Sequence, residues 1–70
     1  MKLKVDQQRD ALYLTLSEAP AARSEEVSRG IVVEHDDQDR VVGVEMLSLS
    51  RRAPAMDVRR LLFESVLQAN

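Results

Sequence analysis

The residues best suited to chemistry lie in one short stretch, His35-Asp36-Asp37-Gln38-Asp39, where an imidazole and three carboxylates fall within five positions. Such a group could ligate a metal ion. A calcium loop, however, needs oxygen ligands at its first, third and fifth positions, a glycine at the sixth and a bidentate acid at the twelfth. Counting from Asp37, those last three positions hold Val41, Val42 and Ser48, so the spacing fails. A transition-metal site would have one imidazole and no thiolate, because the chain has no cysteine. The same aspartates suit a turn, since their carboxylates accept hydrogen bonds from nearby backbone N–H groups and Asp tolerates the left-handed conformation at a loop end. The stretch therefore reads as a hairpin turn that Asp39 closes at positive φ, with no metal bound.

Other catalytic vocabulary is thin. None of Ser17, Ser24, Ser28, Ser48, Ser50 and Ser65 lies in a Gly-x-Ser-x-Gly elbow, and with a single histidine a serine triad would rest wholly on His35. Glu25 and Glu26 are adjacent in an extended segment, so their side chains point apart rather than sharing a proton. Gly30 and Gly43 belong to no phosphate loop; Gly43, inside a strand pattern, marks a bulge or a close backbone approach. Neither a cofactor nor an enzymatic activity is expected. Residues 1–50 carry ten acids and six bases, whereas residues 51–70 carry Arg51, Arg52, Arg59 and Arg60 against two acids. Those four arginines offer an alternative reading, a nucleic-acid-binding regulator, but a net charge of -2 supplies no general field for a polyanion.

These residues must be positioned by a small scaffold. Seventy residues make one domain, and a chain of this size buries only about 60% of the surface its unfolded form exposes. Without cysteine there is no disulfide staple, which fits a reducing compartment and leaves oligomerisation or partner binding as the supplement. The opening MKLKVDQQRD has no long apolar run behind its lysines, so neither a signal peptide nor a membrane span is expected and the expected location is cytoplasmic.

KLKVD and ALYLTL alternate with the period of a strand buried on one face, and pairing Val5 with Leu12 and Leu3 with Leu14 places the apolar residues together. SEAPAARSEEVSRG reads as a loop with a short edge strand around residues 25–27. A four-residue turn at Asp36 to Asp39 pairs His35 with Arg40, Val33 with Val42 and Ile31 with Val44, so Ile31, Val33, Val42, Val44 and Met46 share a face. Beyond Pro54 the period becomes helical: Val58, Leu61, Leu62, Ser65, Val66 and Ala69 form a stripe, with Asp57 near the N-terminal end. The expected fold is α+β, a four- to five-stranded antiparallel meander over residues 1–50 with one C-terminal amphipathic helix over about 54–69 packed on one face. Met56, Phe63 and Leu67 fall on the opposite side of that helix, flanked by Arg59 and Arg60. Either they touch a loop of their own chain or they meet a second chain; aromatic, Met and Arg residues are enriched at interface centres.

Three segments carry a resemblance: DALYLTLS (Asp10 to Ser17), EEVSRGIVVEHD (Glu25 to Asp36) and VVGVEMLSLSRR (Val41 to Arg52). Together they resemble the YuzE-like small proteins of bacteria and archaea, domain-of-unknown-function family 2283, over Met1 to about Pro54. The resemblance implies an antiparallel sheet followed by a C-terminal helix and brings no catalytic residues. Some members look like the smaller partner of toxin–antitoxin-type pairs. Where members often carry glycine at the end of the hairpin turn this chain has Asp39, and where they often carry an aromatic it has His35. The functional expectation is a non-enzymatic protein-binding or regulatory module that homodimerises, in its most specific form an antitoxin-like partner of a small basic protein. Glu25, Glu26, Glu34, Asp36, Asp37 and Glu45 would then supply complementary charge.

Overall fold

The computed structural model describes residues 1–67. Five strands, β1 (Lys2–Asp6), β2 (Ala11–Thr15), β3 (Arg23–Ser28), β4 (Ile31–His35) and β5 (Val41–Met46), are followed by one short helix, α1 (Leu49–Arg52). The strands form a single antiparallel sheet in the order β1-β2-β5-β4-β3. The α+β class and the antiparallel sheet are as the sequence pattern predicts. The order is not a plain meander, however, because β5 lies between the two hairpins. Hydropathy accounts for this: β5 has Val42, Val44 and Met46 on one face and needs a neighbour on both sides, whereas β1, with Lys2 and Lys4, and β3, exposed at every residue, take the edges. Charged edge strands resist pairing with foreign strands.

The first hairpin has the expected register, with Leu3 opposite Leu14 and Val5 opposite Leu12. The second differs. Ile31 stands opposite Met46 and Val33 opposite Val44, two residues away from the expected pairing, and an irregularity at Glu34/His35 brings His35 opposite Val41. A slip of two leaves every side chain on its original face, so alternation alone cannot distinguish the two registers. The turn itself decides: Asp36 N–H donates to Arg40 O at 2.9 Å and Asp39 N–H to Asp36 O at 3.1 Å. Asp39 has φ 64, the left-handed closing residue the sequence predicts.

One end of the sheet is laced together by α1. Asp10, itself left-handed at φ 55, ends the β1–β2 turn. Its carboxylate accepts Ser50 N–H at 2.9 Å and Ser50 Oγ–H at 2.7 Å, while its carbonyl accepts Leu49 N–H at 2.9 Å. The residue at the start of α1, Ser48, makes no side-chain cap, so a carboxylate forty positions away satisfies the helix's first turn instead. Among the described residues three apolar side chains are buried: Leu49 and Ala11, neighbours of these two partners, and Val42. On the far side, Leu47 N–H donates to Gly30 O at 2.8 Å, and Arg52 Nε donates to Leu47 O at 2.7 Å, with a second guanidinium nitrogen on Arg29 O.

The amphipathic helix expected over about 54–69 is not what the structure shows. Residues 53–67 hold isolated turns and otherwise no regular secondary structure, and residues 68 and 69 lie outside the described part. Two local causes are visible. Asp57 Oδ1 accepts Arg59 N–H at 3.0 Å, a side-chain turn that competes with helix, and the segment buries almost none of its apolar surface: Leu62 and Leu67 are 80% and 94% exposed. A helix of this length draws its stability from packing, and in a single chain that packing is missing. Among the described residues no helix is long and apolar enough to cross a membrane.

The Asp10 tether generates a prediction. Asp10→Ala loses both the distal cap and a residue suited to positive φ, and in urea unfolding at fixed protein concentration it lowers stability by about 1–2 kcal/mol. Asp10→Asn keeps an accepting oxygen and tolerates the left-handed region, so it retains most of that stability. Equal losses in the two variants would show that the carboxamide-compatible bonds to Ser50 contribute nothing.

Candidate interaction surfaces

The acidic stretch is a self-contained turn. Asp36 is 5% exposed, and its carboxylate accepts Gln38 N–H, Arg40 N–H and Arg40 Nε–H, each at 2.9 Å. The Arg40 backbone bond, reinforced by the Arg40 side chain and Gln38 N–H, outweighs desolvation and holds the Asp36 carboxyl below the usual carboxylate range. Asp39 is likewise lowered, by its hydrogen bond from Arg23, whose own pKa is raised by the same contact. This pair, with Arg23 also 3.4 Å from Glu25, ties edge strand β3 to the β4–β5 turn. The two best-placed carboxylates thus already have donors. His35 Nδ1 is buried without a hydrogen-bond partner, but among the described residues no group of three His, Asp or Glu side chains is placed to hold a metal.

The two faces of the sheet differ sharply. One carries the row Leu3, Leu14, Val44, Val33 from β1 to β4, ending at Glu25, beside the row Val5, Leu12, Met46, Ile31. The other carries Lys4, Tyr13, Glu45, Val32 and Glu26 in one row, and Lys2, Thr15, Gly43, Glu34 and Ser24 in the next. Lys4 Nζ lies 5.9 Å from the Tyr13 ring centroid. The polar face is therefore basic at β1 and acidic toward β3, with Glu26, Glu34 and Glu45 on neighbouring strands. Of the six acids read from the sequence as a complementary patch, these three share that face; Glu25 belongs to the apolar side, and Asp36 is closed within its turn.

Among the described residues no second layer covers the apolar face. The chain exposes 6030 Å², against about 4400 Å² for a compact monomer of 7.9 kDa. Its radius of gyration is 13.9 Å, where a compact chain of this length has about 11 Å. The C-terminal segment reaches the face at one corner, where Leu61 and Phe63 line an open apolar groove with Met1, Leu3 and Leu14.

The expected interface residues take less regular places than a helix would give them. Met56, Phe63 and Leu67 are 40%, 69% and 94% exposed, and without the helix they form no common stripe; Phe63 alone of the three lines the groove. Arg59 lies 3.7 Å from Asp57, Arg60 N–H donates to Asp57 O, and Arg51 and Arg52 belong to α1. Sequence reasoning missed the Asp10–Ser50 tether and the role of Arg52. Only the presence of Asp10 before one strand and SRR after another hinted at them, and nothing local relates the two.

A family model described as "Protein of unknown function (DUF2283)" matches residues 2–50, which spans all five strands and the start of α1. No curated protein and no solved structure matches the chain.

Because the Asp36 carboxyl is lowered in the folded state, its contribution to stability is complete above the ordinary carboxylate range and is lost as pH falls through that range and below. Asp36→Asn should be less stable at neutral pH and should show a shallower fall of stability below about pH 4. In calorimetric titration the native protein should give no saturable heat with calcium or zinc. Micromolar binding lost in Asp37→Asn would overturn the assignment of this stretch as a turn alone.

Proposed function

The chain belongs to the DUF2283 family, and we propose that it is a non-enzymatic protein-binding module whose apolar sheet face is completed by a second copy of the chain. The single observation that carries this reading is the uncovered face. The surface in excess of a compact monomer is about 1600 Å², and obligate dimers bury about 1000–2500 Å² per chain. A face of Leu3, Leu12, Leu14, Ile31, Val33, Val44 and Met46 is self-complementary in the sense a two-fold interface requires, since apolar meets apolar, with Glu25 at its β3 border. Two such faces would pack as a sandwich, with the exposed residues of the 53–67 segment as further buried surface. The interface residues read from the sequence, Met56, Phe63 and Leu67 with Arg59 and Arg60 at the rim, would lie at its border.

The polar face then remains outward. Glu26, Glu34 and Glu45 present uncompensated negative charge from three adjacent strands, which suits a basic protein partner and would raise its association rate. An antitoxin-like role is the specific form of this reading, supported by that acidic patch and by the family resemblance. A cytoplasmic setting is proposed on the absence of cysteine.

Sedimentation velocity tests the module's assembly. The wild-type chain should sediment as a dimer at micromolar concentration, and its thermal midpoint should rise with protein concentration. Leu14→Glu, at the centre of the apolar face, should shift it to monomer, whereas Tyr13→Glu, one residue away on the polar face, should leave the dimer intact. A wild-type chain that is monomeric, with a midpoint independent of concentration, would contradict the proposal.

A further inference from the structure

Of the eight arginines, four have a carboxylate partner: Arg9 with Asp6, Arg23 with Asp39 and Glu25, Arg40 with Asp36, and Arg59 with Asp57. Among the described residues Arg29, Arg51, Arg52 and Arg60 have none. Three of these four, Arg29, Arg51 and Arg52, line one open notch together with Gly30 and Ser48, at the sheet end crossed by α1. In a chain with more acids than bases, three cations gathered with no direct ion pair among the described residues are a local field, not a general one. We propose that this notch binds a phosphoryl dianion, either free phosphate or the terminal phosphate of a small phosphorylated ligand. This site is independent of the apolar face and of the assembly proposed for it.

The notch is built rather than incidental. Arg52 Nε donates to Leu47 O at 2.7 Å and a terminal nitrogen donates to Arg29 O, so its guanidinium is fixed against the β3–β4 turn before any ligand arrives. Carbonyl acceptors orient that group without cancelling its charge. A pre-positioned donor loses little freedom on binding, which is the usual obstacle for a long side chain. Gly30 suits this turn because at φ 76 it takes a conformation that favours glycine, and the missing Cβ leaves room for the Arg52 guanidinium. Ser48, across the notch, holds φ 53, a left-handed conformation uncommon for serine, and its hydroxyl makes no cap bond. That leaves Ser48 in the lining with a hydroxyl that makes no cap bond, and Arg29 and Arg51 are exposed and free to close on a bound anion.

The charge decides the ligand class. Guanidinium pairs bind carboxylate and phosphate alike through two parallel N–H donors. A carboxylate, with one charge and two oxygens in a plane, satisfies one such fork. A phosphate monoester has about two charges and three terminal oxygens directed apart, which matches three cations arranged around an open notch.

The test is a titration followed by phosphorus and amide NMR at constant ionic strength, using inorganic phosphate, a nucleoside monophosphate, acetate and a single-stranded oligonucleotide lacking terminal phosphates. The expected result is saturable binding of phosphate or the monophosphate, with the largest amide shifts at Gly30, Ser48 and Arg51. Preference for the monophosphate identifies a phosphorylated small molecule as the source, and equal binding identifies free phosphate. Arg51→Gln and Arg29→Gln, which remove no structural bond of their side chains, should each weaken it by about tenfold, the effect of one charge-assisted hydrogen bond. Arg60→Gln, which changes net charge equally outside the notch, should not. Equal weakening by Arg60→Gln, acetate binding as tightly as phosphate, oligonucleotide binding without phosphate binding, or no saturable binding at all would each overturn the assignment.

Discussion

The structure depends on one constraint: a sheet that is apolar on a single face must have that face covered. Four of the five strands contribute to the asymmetry. Leu3, Leu14, Val44 and Val33 form a row across four strands, and the residues between them in sequence, Lys4, Tyr13, Gly43, Glu45, Val32 and Glu34, face the other way. Placing β5 at the centre concentrates the valines and Met46 where both neighbours can cover them, and it leaves the charged strands at the edges. Yet strand neighbours cover only the flanks of a side chain, and the outward end of each stays accessible. This is why, among the described residues, only Ala11, Val42 and Leu49 are buried apolar residues. The missing layer is the physical reason for reading the chain as part of an assembly.

Since a thin core cannot hold the sheet alone, polar side chains bonded to backbone stand at its ends. Asp10 joins the β1–β2 turn to α1, Arg52 joins α1 to the β3–β4 turn, and Asp36 closes the β4–β5 turn at the other end. Each is a charged group bonded to backbone groups that would otherwise lose water without compensation. The unusual backbone conformations cluster at these positions: among the described residues Asp10, Asp39 and Ser48 are the non-glycine residues with positive φ, and Gly30 is the glycine. Strain in the turns is thus confined to places where a tether determines the conformation.

Much of the sheet was legible in the sequence because alternation is a local signal. The pairing of Leu3 with Leu14, the existence of an edge strand before Gly30, the turn at Asp36 and the left-handed Asp39 all follow from residues a few positions apart. The register of the second hairpin was not legible, since a slip of two preserves the face of Ile31, Val33, Val44 and Met46 and only the bonds within the turn separate the choices. Neither was the strand order, which is set by how much apolar surface each strand must hide. The periodicity of Val58, Leu61, Leu62 and Val66 is real in the sequence but describes a helix that needs a surface to pack on. Of the arginine notch only Arg51 and Arg52 were legible, as part of a basic C-terminal group; Arg29 stands twenty-two positions before Arg51 and meets them only through the fold.

The central claim is that another chain covers the apolar face, and isotope-filtered NMR on a sample mixing labelled and unlabelled protein reads this directly. The account predicts intermolecular contacts from the methyl groups of Leu14, Val33 and Val44, and none from Thr15 or Val32 on the polar face. If those methyl groups show contacts only to Leu61, Leu62, Phe63 and Val66 of the same chain, the C-terminal segment supplies the second layer itself and the claim is wrong.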